Sequence, residues 1–225
     1  MSHTASDLRV GGVAAVVGGM GGFVGNVLHP PPPAETDALL RVVAQMPHWT
    51  AIHLMIAISA VFMVGAFGLL VRTLESALAR ALGDLARYAA VLGGAVLISG
   101  IMIDGYGYPY MVRQWLAAEG NQKLAIFWAA DAVHIVDVAL FTAWATVFLG
   151  VAFLLAGAAL IVSGNYSRLL GGVAVLGGAM CFGHGSSVAL GLASSLPVWP
   201  AGAAVDSFWL LAIGVAMLRK ARRFT

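Results

Sequence analysis

The sequence predicts an all-α integral membrane bundle of six transmembrane helices with short interfacial helices on the outer side. Three observations lead there. Of 225 residues, 60% are hydrophobic and 10% charged, and the mean hydropathy is +0.91. A soluble domain carries roughly 25% charged residues, and a fold of this size cannot hide so much apolar surface from water. Next, the apolar runs have the length of membrane spans, since roughly 20 apolar residues cross about 30 Å of hydrocarbon. Last, the lysines and arginines fall unevenly between the two sets of connections.

The first span is expected at 11–28, in "GGVAAVVGGMGGFVGNVL". One arginine precedes it, as in a signal peptide, but no small-x-small cleavage site follows before "HPPPP", so it is read as a retained span. Spans two and three are expected at 51–72 and 85–103, five and six at 169–190 and 202–218. The fourth needs more argument. Leu124 to Val162 is an unbroken run of 39 residues, about 58 Å as a helix. No Gly, Pro or Asn cluster divides it, and each half would be too short to cross. One long helix is therefore expected, with 141–162 in the bilayer and 124–140 as its outer extension.

Six spans place both termini on one side. Arg9, Arg72, Arg80, Arg87, Arg168, Arg219, Lys220, Arg222 and Arg223 fall on that side, against Arg41, Arg113 and Lys123 opposite. The positive-inside rule makes the terminal side cytoplasmic, in a multi-pass protein of the cell membrane. The six tryptophans are expected near the other face, as an interfacial belt. The outer connections carry their own structure. "HPPPPAETDALLRVVAQMPHW" opens with a stiff polyproline segment and continues, from Thr36 as a cap, into a short amphipathic helix. "YPYMVRQWLAAEGNQ" reads as a second short helix ending near Gly120. On the inner side, "TLESALARALGDLAR" reads as a helical continuation with Glu75 near Arg72 and Arg80 near Asp84. Glycines at Gly18 and Gly22, and at Gly21 and Gly25, have the spacing that lets helix backbones approach closely.

Scattered, scarce cations give no nucleic-acid footprint. Cys181 is alone, so neither an intrachain disulfide nor a cysteine-based metal motif is available. What stands out is "DAVHIVD", which places Asp131, His134 and Asp137 on one helical face. With the topology above, His53, Asp104, His184 and Asp206 gather toward the same outer mouth. Ionisable groups at membrane depth are costly and usually face a cavity or a partner. An imidazole and a carboxylate three residues apart can converge on one ion, as in helical-bundle metalloproteins.

The expectation is therefore a membrane-embedded metal-binding protein, in one form an enzyme acting on a lipidic or small apolar substrate. Asp131, His134, His53 and His184 are the candidate ligands, and Asp137, Asp104 and Asp206 the candidate acid/base groups. Nitrogen and carboxylate donors without thiolate suit a divalent Zn, Fe, Mn or Cu ion. Haem held by two of His53, His134 and His184 is the alternative cofactor. A cofactor-free transporter, or an accessory subunit packed on another membrane protein or a second copy, also stays open. His29 and His48, beside the proline-rich loop, are expected to be solvated, with either able to swing over the site as a lid.

Overall fold

The computed structural model describes residues 5–31, 33–192 and 198–224; Pro32 of the polyproline segment lies outside them. Among the described residues, six helical columns are long and apolar enough to cross a membrane. The first is α1 (Ala5–Leu28). It ends where His29 precedes Pro30, because a residue before proline is pushed out of the α region. The short α2 (Thr36–Gln45) follows, then α3 (Trp49–Val71). Next come α4 (Ala77–Met102), a π-helical turn at Ile103–Gly107 and α5 (Tyr108–Ala117), one continuous column. The long column runs through α6 (Gly120–Trp144), a second π-helical stretch at Ala145–Ala152 and α7 (Phe153–Ser163). Gly164 stops it with a left-handed φ of 74°, which glycine adopts without steric cost. Then α8 (Arg168–Ala189) and α9 (Val198–Ala221) complete the set. Ser76 and Ser167 cap α4 and α8 by accepting from the backbone N–H of Ala79 and Leu169.

The spans form a ring in chain order. Helix α1 packs on α3, α3 on α4, α4 on α7, α7 on α8, α8 on α9, and α9 closes back onto α1. Helices α2 and α5 lie against each other and against α6 at one end, here termed the capped end. Glycine lets α1 press on both neighbours. A Cβ at Gly18 would meet the Met63 backbone nitrogen in α3 at 2.8 Å. On the other face, a Cβ at Gly12 would meet the Gly214 carbonyl oxygen of α9 at 2.8 Å. A methyl at either position would force the helices apart.

The middle of the ring is filled by aromatic rings. Phe67 packs on Phe153 with centroids 5.1 Å apart, and Phe153 on Trp209 at 5.2 Å, while Phe148 contacts both phenylalanines. Trp209 is thus a core residue and not part of an interfacial belt; its indole N–H donates to the Leu170 carbonyl at 2.8 Å. A buried indole needs such an acceptor, and the first turn of α8 supplies it. Trp144 is likewise buried, inside the ring.

At the end opposite the cap, the ion pairs differ from those expected from sequence. Arg72 reaches Asp7 at 3.3 Å, and Asp84 pairs with Arg87 at 3.0 Å. Glu75 instead accepts from the Asn165 side chain at 3.2 Å. The packing of α3 on α1 brings Asp7 to Arg72, a long-range proximity invisible to helix spacing. In the same region Tyr166 shares a 2.6 Å hydrogen bond with Thr73, and burial pushes its phenol up to about 12.

Candidate metal centre

Above the aromatic layer the ring opens into a cavity of about 610 Å³. Its lining stops at Ile56 in α3, Trp144 in α6 and Ser207 in α9, so Phe67, Phe148, Phe153 and Trp209 lie below it as a floor. Most of the wall is aliphatic or aromatic. The exceptions include four histidines and two aspartates from five parts of the chain: His29, His53, Asp104, His134, Asp137 and His184.

Three of these converge. His29 Nε2 lies 3.2 Å from His53 Nε2, and the Asp104 carboxylate oxygen Oδ2 lies 3.0 Å from His53 Nε2 and 3.5 Å from His29 Nε2. The hydrogen bonds on the far sides of the rings decide what this triangle means. His29 Nδ1 is 2.7 Å from the Pro30 carbonyl oxygen, and His53 Nδ1 is 2.7 Å from the Trp49 carbonyl oxygen. A carbonyl only accepts, so each Nδ1 carries the hydrogen. In neutral imidazoles both Nε2 atoms then present lone pairs, facing each other and a carboxylate oxygen. Three acceptors cannot satisfy one another; a metal ion among them can, as can a proton that turns one ring into an imidazolium. The other oxygen, Asp104 Oδ1, is buried with no hydrogen-bond partner among the described residues.

Each member of the triangle has a local cause. His29 sits one residue past α1, where its backbone N–H still bonds to Gly25 at 3.0 Å before Pro30 turns the chain. His53 lies one turn into α3, 1% exposed, where its Nδ1 reaches the Trp49 carbonyl of the preceding turn. Asp104 is set by the π-helical turn. The wider turn leaves the Asp104 and Gly105 carbonyls pointing at α3. The Trp49 indole N–H donates to the first at 2.7 Å, and the Thr50 hydroxyl to the second at 2.9 Å. Gly105 then lets the turn lie against His53: a Cβ there would overlap the Cβ of His53 and come within 2.9 Å of its Cγ. The Trp49 ring also packs on both imidazoles, at 5.0 Å from His29 and 4.9 Å from His53.

The remaining candidates from the sequence are placed differently. Asp131 accepts a 2.6 Å hydrogen bond from Thr36, so it ties α6 to α2, and Thr36 is a helical residue, not the cap. His134 meets the Tyr108 hydroxyl at 3.3 Å, tying α6 to α5 while lining the cavity. Asp137 also lines the cavity. His184 lines the opposite wall, on α8, with its Nδ1 buried and without a partner among the described residues. Asp206 is fully buried between α8 and α9 and accepts from the Cys181 thiol at 3.6 Å, with Gly177 packed against its carboxylate. It does not line the cavity.

Thus the face read in "DAVHIVD" exists, but its three rungs have three destinations: α2, α5 and the cavity. Among the described residues the one His/Cys/Asp/Glu group compact enough to hold a metal ion is His29, His53 and Asp104. Sequence reading expected His29 in solvent. A histidine followed at once by proline at a helix end was the available signal, since that join fixes the ring beside the mouth it would otherwise leave. Comparison with protein-family models, with curated proteins and with solved structures gives no match to this chain.

Proposed function

We propose that this is a membrane-embedded metal-binding protein whose ion sits among His29, His53 and Asp104, at the head of a cavity that admits an apolar substrate. The observation that carries the reading is the triangle of acceptors with both imidazole tautomers set by backbone carbonyls. Its edges of 3.0, 3.2 and 3.5 Å bracket the about 3.4 Å expected between donors bonded at about 2.1 Å to a tetrahedral ion. The carbonyl bonds to Nδ1 are the kind of outer contact that orients ligating histidines. Two nitrogens and a carboxylate fit Zn, Fe, Mn or Cu. An ion held there would act as a Lewis acid toward a bound oxygen and lower the pKa of a coordinated water.

A small ion is favoured over haem. Bis-histidine haem needs two imidazoles facing each other across a flat macrocycle, whereas His29 and His53 meet edge to face with a carboxylate beside them. The apolar wall of the cavity supports a lipidic or small apolar substrate. The excess of Lys and Arg at the other end supports cytoplasmic termini and a site on the outer side of the cell membrane.

The test is elemental analysis of purified protein after equilibration with each of the four metals. About one ion per chain is expected, falling below about 0.1 in a His29→Ala, His53→Ala double variant that still purifies as a folded species. No stoichiometric metal in the wild type, or full retention in the double variant, overturns the reading.

A further inference from the structure

The cavity contains a second polar group whose chemistry the metal does not use. Asp137 projects from α6 into the lining, one turn below His134, and no hydrogen bond or ion pair engages its carboxylate among the described residues. Its Oδ1 stands 3.8 Å from the position of a Cβ at Gly100, ordinary contact distance across the wall, and the residue lines the cavity. Val96, Leu97, Phe141, Trp144 and Ala203 share the cavity lining with it, and His53, Asp104 and His134 are polar side chains of the same cavity, none of them hydrogen-bonded to it. The Trp144 indole N–H is itself buried in the packing and turned away from the open space.

A carboxyl group left unpartnered in an apolar pocket costs free energy that a ligand can recover. For the ionised carboxylate, a hydrogen-bond donor on the ligand recovers it. An anion would be repelled, and a pure hydrocarbon would leave the carboxylate as it is. We infer that the cavity takes an apolar molecule carrying one hydrogen-bond donor, a hydroxyl or an amine, with that donor on Asp137 and its hydrocarbon body among Val96, Leu97, Phe141 and Ala203. This rests on the reading of the cavity as a substrate site and names the substrate class. Asp137 becomes the group that selects and orients the molecule. The volume of about 610 Å³ is within the range that buries a ligand of drug-like size.

Three probes share one hydrocarbon cage and differ in one substituent: 1-adamantylamine, 1-adamantanol and adamantane-1-carboxylate. They are titrated into the full chain in lipid nanodiscs after chelator treatment, so that no metal contributes, and binding is followed by calorimetry and tryptophan emission. The amine and the alcohol are expected to bind saturably, and the carboxylate at least about tenfold more weakly, the worth of one lost donor contact. In Asp137→Asn, which keeps the shape, the three affinities should converge to within about threefold. Val96→Phe, which fills the apolar part and leaves Asp137 in place, should abolish binding of all three.

A carboxylate that binds as well as the amine, an unchanged preference in Asp137→Asn, binding that survives Val96→Phe, or no saturable binding of any cage overturns the assignment. Failure here alongside about one metal ion per chain leaves the metal centre standing. Cage binding by a protein that takes up no metal does the reverse.

Discussion

Replacing Gly105 with alanine tests the centre without touching a ligand. The added methyl would collide with the Cβ of His53, so the π-helical turn must lift and carry Asp104 away from the two imidazoles. Metal affinity is expected to fall about 10–100-fold, the scale of losing a supporting contact, at a stability cost of about 1–3 kcal/mol from overpacking. Competition titration against a chromophoric chelator reads the first, and thermal unfolding the second. Affinity unchanged with a clearly lowered melting point would mean that the turn does not place Asp104. Protons compete for the same Nε2 lone pairs, so bound metal is expected to be released as the pH is lowered from about 7.5 to about 5. At this scale the sequence made His53 and Asp104 legible as polar groups near one mouth. For His29 the signal was slight, a histidine joined to proline at a helix end that reads as solvated or as a lid until the chain on either side is placed. Asp206 was expected at the mouth; it lies level with the lower edge of the cavity at Ser207, on a face of α9 turned toward Cys181.

Among the elements, the two π-helical stretches matter most. The first lies at the level of the cavity and is fastened to α3 by the Trp49 and Thr50 donors, and the second, which carries Phe148, lies at the level of the aromatic floor. Thr50→Val keeps the shape and removes one donor, leaving the buried Gly105 carbonyl short of a partner. A loss of about 1–3 kcal/mol is expected by denaturant unfolding, with metal affinity falling in parallel. If stability falls and affinity holds, the Trp49 bond alone is enough to hold the turn. Stretches of this kind are hard to see in a sequence. "IDGYGYPY" reads as a helix end, since glycine and proline usually punctuate, and here the proline is accommodated in the first turn of α5. By contrast, the unbroken column from Gly120 to Ser163 follows from the lack of any turn-forming cluster, which is a local property of the chain.

For the whole molecule, the all-α bundle with six membrane-crossing helices was legible because bilayer thickness sets the length of apolar runs. The closed ring was not, since every span is apolar and periodicity says little about which neighbour it meets. The aromatic layer that the ring encloses should dominate stability. Phe153→Ala removes a ring in contact with Phe67, Phe148 and Trp209, and is expected to cost about 3–5 kcal/mol in a detergent unfolding assay. A cost below about 1 kcal/mol would show that the ring holds without its filling. That same layer has a further effect on traffic. A vestibule sealed at its base offers no passage through the aromatic layer, so whatever enters from the capped end does not leave at the opposite one. Reconstituted into planar bilayers, such a protein should remain electrically silent at any voltage, and a molecule bound in the vestibule should be released on the side from which it came.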